Sequence, residues 1–215
     1  MTAQSSHLVV TRFAVPRDRP GTASLYRDPH WLAGRHELFR RYFVPSVAPL
    51  GVPVILLCGE QAAAAVAEAV ADLPWARVEV QDDWHAGWRG RRSQVITRLD
   101  SDDAVHPEWF AAVDEAPASA RICITHRSLR YHPRSGRLQR YRRREAAPLA
   151  AFRGGSNPYA IDHRFLASQS GVHTLRGPYL LQVVHGGNVK NRPPKAWRLD
   201  RWTRRSRLRE FGLSP

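Results

Sequence analysis

Apolar and polar positions alternate along this chain in two distinct rhythms. His7–Val15 (HLVVTRFAV), Val52–Cys58 (VPVILLC) and Ala76–Val80 (ARVEV) are short, β-branched and apolar, and they predict three strands. The nearly unbroken apolarity of Val52–Cys58 is that of a parallel strand covered on both faces. Between these runs, Trp31–Phe43 carries Leu32, Leu38, Phe39, Tyr42 and Phe43 at helical spacing, and Pro45–Pro53 breaks that pattern. Glu60–Leu73 (EQAAAAVAEAVADL) predicts a helix on propensity alone. A fourth strand starts at Val95, and Pro107–Ala116 opens as a helix with Pro in its first turn and acids near its start. Strands alternating with helices predict an α/β fold with a mostly parallel central sheet flanked by helices.

The second half is less regular. Arg121–Thr125 predicts a strand; Leu129–His132 and Arg137–Tyr141, joined at Pro133–Gly136, predict an added hairpin. Tyr159–Leu166 predicts a short helix and Tyr179–Val184 a last strand. Arg198–Leu213 sets Leu199, Trp202, Leu208 and Phe211 against many arginines. Such a helix either lies on an anionic membrane surface or covers the core with its basic face in water. At 215 residues the expectation is one α/β domain over residues 1–197, with 198–215 as a basic C-terminal helix or tail.

The chemistry concentrates where the fourth strand ends. Val95–Asp103 reads VITRLDSDD, placing Asp100, Asp102 and Asp103 around a single serine, Ser101. Three carboxylates so close repel one another unless a positive charge sits among them, and their oxygens suit magnesium or manganese. Their place, between a buried strand and a helix, is the carboxyl end of a strand, where open α/β sheets bind ligands. An Asp-rich turn capping the next helix is the plainer reading, but a cap needs one such residue rather than three.

Other segments are more equivocal. Gln81–Ser93 mixes Asp82 and Asp83 with Trp84, His85, Trp88 and three arginines; it either grips a nucleotide or folds its tryptophans onto the core. Gly154 and Gly155, followed by Ser156 and Asn157, either form an ordinary turn or permit close backbone approach. His185, released from the last strand by two glycines, is placed to reach a metal, although a lone histidine is more often a structural hydrogen bonder.

Charge and cysteine content narrow the setting. The net charge is +14, and all but two of the 33 basic residues are arginine, whose forked guanidinium suits phosphate. Polyanionic partners are therefore in view: nucleic acid, nucleotide diphosphates or an anionic membrane face. Cys58 and Cys123 sit inside apolar runs and read as small buried hydrophobes in a reducing compartment. No apolar run approaches the ~20 residues that span a bilayer. The expected location is cytoplasmic, with peripheral attachment at the inner face of the membrane as the variant the basic tail suggests.

TRFAV near the start, TRLDSDDAV in the middle, then GGSNP and VVHGGNVKN resemble, in that order, the bacterial rhamnosyltransferase family of GT-A-like glycosyltransferases. The resemblance runs from about Leu8 to Asn191, and TRLDSDDA is its sharpest part, a form of the DxD motif. It implies a single GT-A-like, Rossmann-like domain and transfer of a sugar from a dTDP-, UDP- or GDP-sugar to a glycan or lipid-linked acceptor. It implies manganese or magnesium held by Asp100, Asp102, Asp103 and His185, and a nucleotide-sugar beside Arg12, Asp83, Arg98 and Asp100. Gly154, Gly155, Ser156 and Asn157 take the place of its acceptor-side loop. Where many inverting relatives carry an acidic base, HRFLASQSGVHTL has no acid, leaving Asp162 as the nearest candidate. A metal-dependent nuclease or nucleotidyltransferase, or a non-catalytic polyanion-binding module, would also use acids or arginines and ranks behind the transferase.

Overall fold

Strand β1 (Ser6–Ala14) shows why the main sheet is buried on both sides. Its Val9 and Phe13 enter one apolar cluster, while Leu8 and Val10, pointing the other way, enter another. The same split recurs in β2 (Val54–Cys58): Val54, Leu56 and Cys58 face the first cluster, Ile55 and Leu57 the second. The computed structural model describes residues 6–16, 25–83, 88, 90–92, 94–142, 145–185 and 202–214.

The protein is mixed α/β, built on two sheets. After β1 come α1 (Pro29–Leu38), a π-helical turn over Phe39–Phe43, α2 (Val44–Val47), β2, α3 (Glu60–Ala69), β3 (Ala76–Val80) and β4 (Gln94–Arg98). Then follow β5 (Ala104–Val105), α4 (Glu108–Glu115), β6 (Ile122–Thr125), β7 (Arg127–His132), β8 (Arg137–Arg142) and β9 (Ala150–Phe152). A 3-10 turn over His163–Ser168, β10 (Val172–Leu175), β11 (Leu180–Val183), β12 (Trp202–Thr203) and a 3-10 turn over Arg205–Phe211 complete the described chain.

The seven-stranded sheet runs β10-β6-β9-β4-β1-β2-β3. It is parallel except for β9, which is antiparallel to both its neighbours, β4 and β6. The expected strand ahead of the DSDD stretch, the helix after it and the mostly parallel sheet are present, with the short β5 between the acids and α4 as an addition. The five-stranded sheet runs β12-β8-β7-β11-β5 and contains the expected hairpin, β7–β8. Tyr179–Val184, expected as a last strand, supplies β11, which lies in this smaller sheet, parallel to β7.

Three local expectations are corrected. The first helix does not stop at Pro45: helical backbone continues through α2 and a 3-10 turn over Ala48–Leu50. The π turn, in which the Val44 N–H bonds back to the Phe39 carbonyl, widens the helix just before Pro45, a residue with no N–H to give. Tyr159–Leu166 is not an α-helix; a 3-10 turn begins at His163, capped by Asp162. The C-terminal helix is replaced by β12 and the turn over Arg205–Phe211, in which Leu208 and Phe211 are buried.

Those two side chains belong to a second apolar cluster beneath the smaller sheet, with Tyr42, Leu129, Tyr131, Leu138, Leu181 and Val183. Gly212 closes the turn at φ +72°, and a Cβ there would stand 2.7 Å from the Pro45 carbonyl oxygen. Residues 202–214 are thus part of the packed body, and no described helix is long and apolar enough to cross a membrane.

Several arginines do structural work that net charge conceals. Arg153 donates to the carbonyls of Val113 (2.6 Å), Ala116 (3.1 Å), Pro117 (2.7 Å) and Ala120 (3.3 Å). It thereby gathers four backbone acceptors at and just beyond the end of α4, where the helix has few N–H groups to offer. Arg40 bonds the Ala69 carbonyl at the end of α3 and pairs with Asp72. The two cysteines are free and buried, as expected, and burial pushes the Cys58 thiol up to about 11, with the charge of Asp82 adding to it.

Candidate functional site at the sheet junction

The chain leaves the larger sheet at the end of β4 and enters the smaller one at β5; Leu99–Asp103 is the crossing. Asp103 donates its N–H to the Asp100 carbonyl at 3.1 Å, so the four residues Asp100–Asp103 form a tight turn. A turn fans side chains apart where a strand would stack them, and here it gives the three acids three different surroundings.

Asp103 is 3% exposed, and its Oδ1 accepts the Val183 N–H at 2.9 Å. The β11–β5 ladder ends at Leu181–Ala104, so this carboxylate adds a bond beyond its last rung and ties the two sheets together. Asp103→Ala should lower stability by about 1–3 kcal/mol, the cost of a buried N–H left without an acceptor. Asp103→Asn, which keeps an oxygen there, should cost less; equal melting temperatures for both variants would dismiss this role.

Asp102 is 8% exposed. Its Oδ2 accepts from His185 Nε2 at 2.8 Å and faces Arg35 Nη1 at 3.1 Å. Burial pushes this carboxyl up, but the Arg35 charge and the bond and charge of His185 outweigh it and hold Asp102 well below the usual carboxylate range. His185 follows β11 and Arg35 comes from α1, so two distant segments converge on one oxygen. Arg35 also donates through Nη2 to the Ser101 hydroxyl, which itself lies 3.4 Å from the Arg12 carbonyl.

Asp100 is exposed at the carboxyl edge, near enough for its charge to act on Tyr159 and Arg98. The Arg12 guanidinium lies 3.8 Å over the Tyr159 ring, whose hydroxyl donates to the Val10 carbonyl at 3.1 Å. Burial, with help from Asp100, drives that phenol far up, against the pull of Arg12 and Arg98. Tyr159 therefore stays a neutral hydrogen-bond donor.

Arg98 points into the protein. It is 5% exposed and donates to the carbonyls of Pro148 (3.2 Å), Pro158 (2.9 Å) and Ile161 (3.1 Å). Its place is that of a brace for residues 148–161, the segment that carries the glycine pair and Tyr159.

The expected acceptor-side residues make mostly local bonds. The Ser156 hydroxyl donates to the Arg153 carbonyl, and Asn157 Oδ1 accepts the Tyr159 N–H at 2.9 Å. Gly155, at φ +67°, lies so close to the β3–β4 connection that a Cβ would meet the Gly90 carbonyl oxygen at 2.6 Å. The backbone approached here is the protein's own. Asp162 caps its 3-10 turn through the Arg164 N–H and pairs with the Arg164 guanidinium at 2.8 Å. The Arg164 bond, opposed by partial burial and helped by His163, holds it low, which disfavours a role as proton acceptor.

A cleft of about 290 Å³ opens at the same edge of the sheet, two strands away, among Ala14, Pro16, Tyr26, Arg27, Gly59 and Asp82. Asp82 Oδ1 accepts the Glu60 N–H at 2.8 Å, capping α3 beside it, and Asp83 is exposed on the same connection. In that loop Trp88 is folded onto the core, its indole N–H donating to Glu79 at 2.6 Å. Trp84, His85 and Arg89 lie outside the described residues.

Among the described residues no group of three or more His, Cys, Asp and Glu side chains is arranged to hold a metal ion. The donor chemistry fits a divalent cation in part: a carboxylate and an imidazole already meet at 2.8 Å, with the exposed Asp100 on the same turn. Asp103, bonded to the backbone, serves the fold. Arg35 carries no mark in the sequence, because nothing in a helical Arg at that position announces a partner 67 residues away. The chain matches no family model, and no curated protein matches it in sequence.

Proposed function

We propose that the protein is a metal-dependent glycosyltransferase. It would move a sugar, rhamnose among the candidates, from a dTDP-, UDP- or GDP-linked donor to a hydroxyl of a glycan or lipid-linked acceptor. The observation that carries this reading is the meeting of Asp102 and His185, 83 residues apart, at the carboxyl edge of a mostly parallel sheet. They are the acid and the late histidine that the sequence resemblance pairs as metal ligands. Open α/β sheets bind their ligands along this edge.

Asp102 and His185, with Asp100 beside them, would hold the ion. Manganese or magnesium so bound would supply Lewis-acid neutralisation of charge on a departing diphosphate. The chain's own residues provide the rest. Asp100 is exposed at the edge to meet a ribose, and Arg12, held over the Tyr159 ring, offers a cation near it. The cleft beside Asp82 is of the size and position to take the nucleoside end of the donor. Arg98 braces Pro158 and Ile161 beside the edge, where an acceptor would enter, while Gly155 packs at the other, amino end of β4.

The test is the melting temperature with manganese plus UDP, GDP or dTDP. One of them should raise it by a few degrees, and EDTA should abolish the rise, because a ligand bound only to the native state stabilises it. Greater stabilisation by single-stranded oligonucleotides, indifferent to EDTA, would replace this reading with a polyanion-binding one.

A further inference from the structure

Arg35 presents a difficulty for any cation at this site. Its guanidinium already neutralises Asp102, at 3.1 Å from the same oxygen that His185 bonds at 2.8 Å. A doubly charged ion drawn to that oxygen would face a fixed positive charge a few ångströms away. Arg35 is held through its two Nη atoms, on Asp102 and Ser101, but it sits on a helix that packs only partly. None of the ten residues of α1 is fully buried, and Trp31 and Leu32 are partly buried against the main core. Arg35 Nε is shielded from water and has no hydrogen-bond partner among the described residues, so the fork has a donor in hand. A guanidinium with an unused donor, held beside the turn where phosphates are expected, is suited to bidentate capture of a phosphate.

We infer that Arg35 is an exchangeable counter-cation, resting on the metal-dependent reading above. In the ligand-free protein it holds Asp102; when a divalent cation binds there, it shifts to the diphosphate of the donor. Its effect on the site then changes sign with occupancy. It opposes the ion when the ion comes alone and supports it when a nucleoside diphosphate comes too, which would make the two bind in concert. Arg35 is in this sense a positioning residue: it compensates Asp102 until both ligands are present.

Calorimetric titration of the full chain with Mn2+ alone, and then with UDP, GDP and dTDP at saturating Mn2+, tests the idea. Arg35→Met should tighten Mn2+ binding on the order of tenfold, through the repulsion it removes. The same variant should weaken binding of the preferred nucleoside diphosphate on the order of tenfold, through the lost forked contact. Arg35→Lys keeps the charge but not the fork, so it should leave Mn2+ affinity near that of the parent and weaken the nucleotide. An arginine that merely braces the fold would move both affinities in one direction or neither, and that result overturns the inference while the metal reading stands. If the parent protein binds no Mn2+ with or without a nucleotide, the metal-dependent reading itself falls, and the exchange with it.

Discussion

If the protein is the proposed glycosyltransferase, Asp102→Asn is expected to lower sugar transfer about a thousandfold or more. A cation ligand contributes several kcal/mol to neutralising a departing diphosphate, and each ~1.4 kcal/mol is tenfold in rate. The structure adds a second consequence. Asp102 is the carboxylate that compensates Arg35, and both side chains are largely buried, at 11% and 17% exposure. Removing its charge leaves a shielded guanidinium without its counter-ion, so a loss of stability of up to about 3–5 kcal/mol is expected alongside the loss of transfer. The two effects can be separated. In Asp102→Asn combined with Arg35→Met the stranded charge is gone, so most of the stability should return while transfer does not. Transfer measured with the preferred sugar nucleotide at saturating manganese, beside melting curves of the single and double variants, checks both. Near-parental turnover by Asp102→Asn would end the assignment of this residue to the chemistry, whatever its effect on melting.

The parallel half of the larger sheet was legible because burial on both faces leaves a plain mark in sequence. VILLC in β2 and VIT in β4 have no charged side chain, and alanine-rich α3 has nothing to compete with helix. Strand β9 lacks that mark. Ala150–Phe152 is a short apolar stretch after Pro148, with no β-branched residue, and it becomes a strand only because β4 and β6 flank it on both sides. The C-terminal segment misled in the opposite direction. Its apolar residues recur at nearly helical spacing, but Trp202–Thr203 finds the open edge of β8, and pairing there overrides propensity.

The same division runs through the site. That DSDD closes a buried strand followed by a helix was readable from the residues, because it depends on neighbours in the chain. What each acid does was not, because it depends on Val183, His185 and Arg35, which come from other segments. Three carboxylates in four residues suggested one shared ion; the turn gives Asp103 to a backbone N–H, sets Asp102 between an arginine and a histidine, and leaves Asp100 exposed at the edge. Arg98 is a related case. The family resemblance set it beside the nucleotide, whereas in the fold it turns inward onto three carbonyls 50 to 63 residues away.

Phe211→Ala should cost about 3–5 kcal/mol of stability, the range for emptying a fully buried aromatic site. Phe211 has no exposed surface, packs with Leu208 and Leu213 against Tyr42, Leu129 and Leu138, and meets His106 edge to face at 5.3 Å. It connects the last described turn to the smaller sheet and, through His106, to the segment just after the acid turn. The cavity has few ways to close, because its walls are strands already fixed by their ladders. For a chain of this length the loss corresponds to a drop in melting temperature on the order of 6–20 °C. Arg209→Ala, two residues away on the exposed side of the same turn, should change stability by no more than about 0.5 kcal/mol. Melting curves of the two variants decide between a docked segment and a detachable basic tail: a tail serving only to attach the protein to anionic surfaces would leave both unchanged. If the Phe211 variant melts with the parent, the second core does not depend on this turn and the tail reading returns. If it melts early while the Arg209 variant does not, residues 202–214 are held to the fold by their apolar side chains.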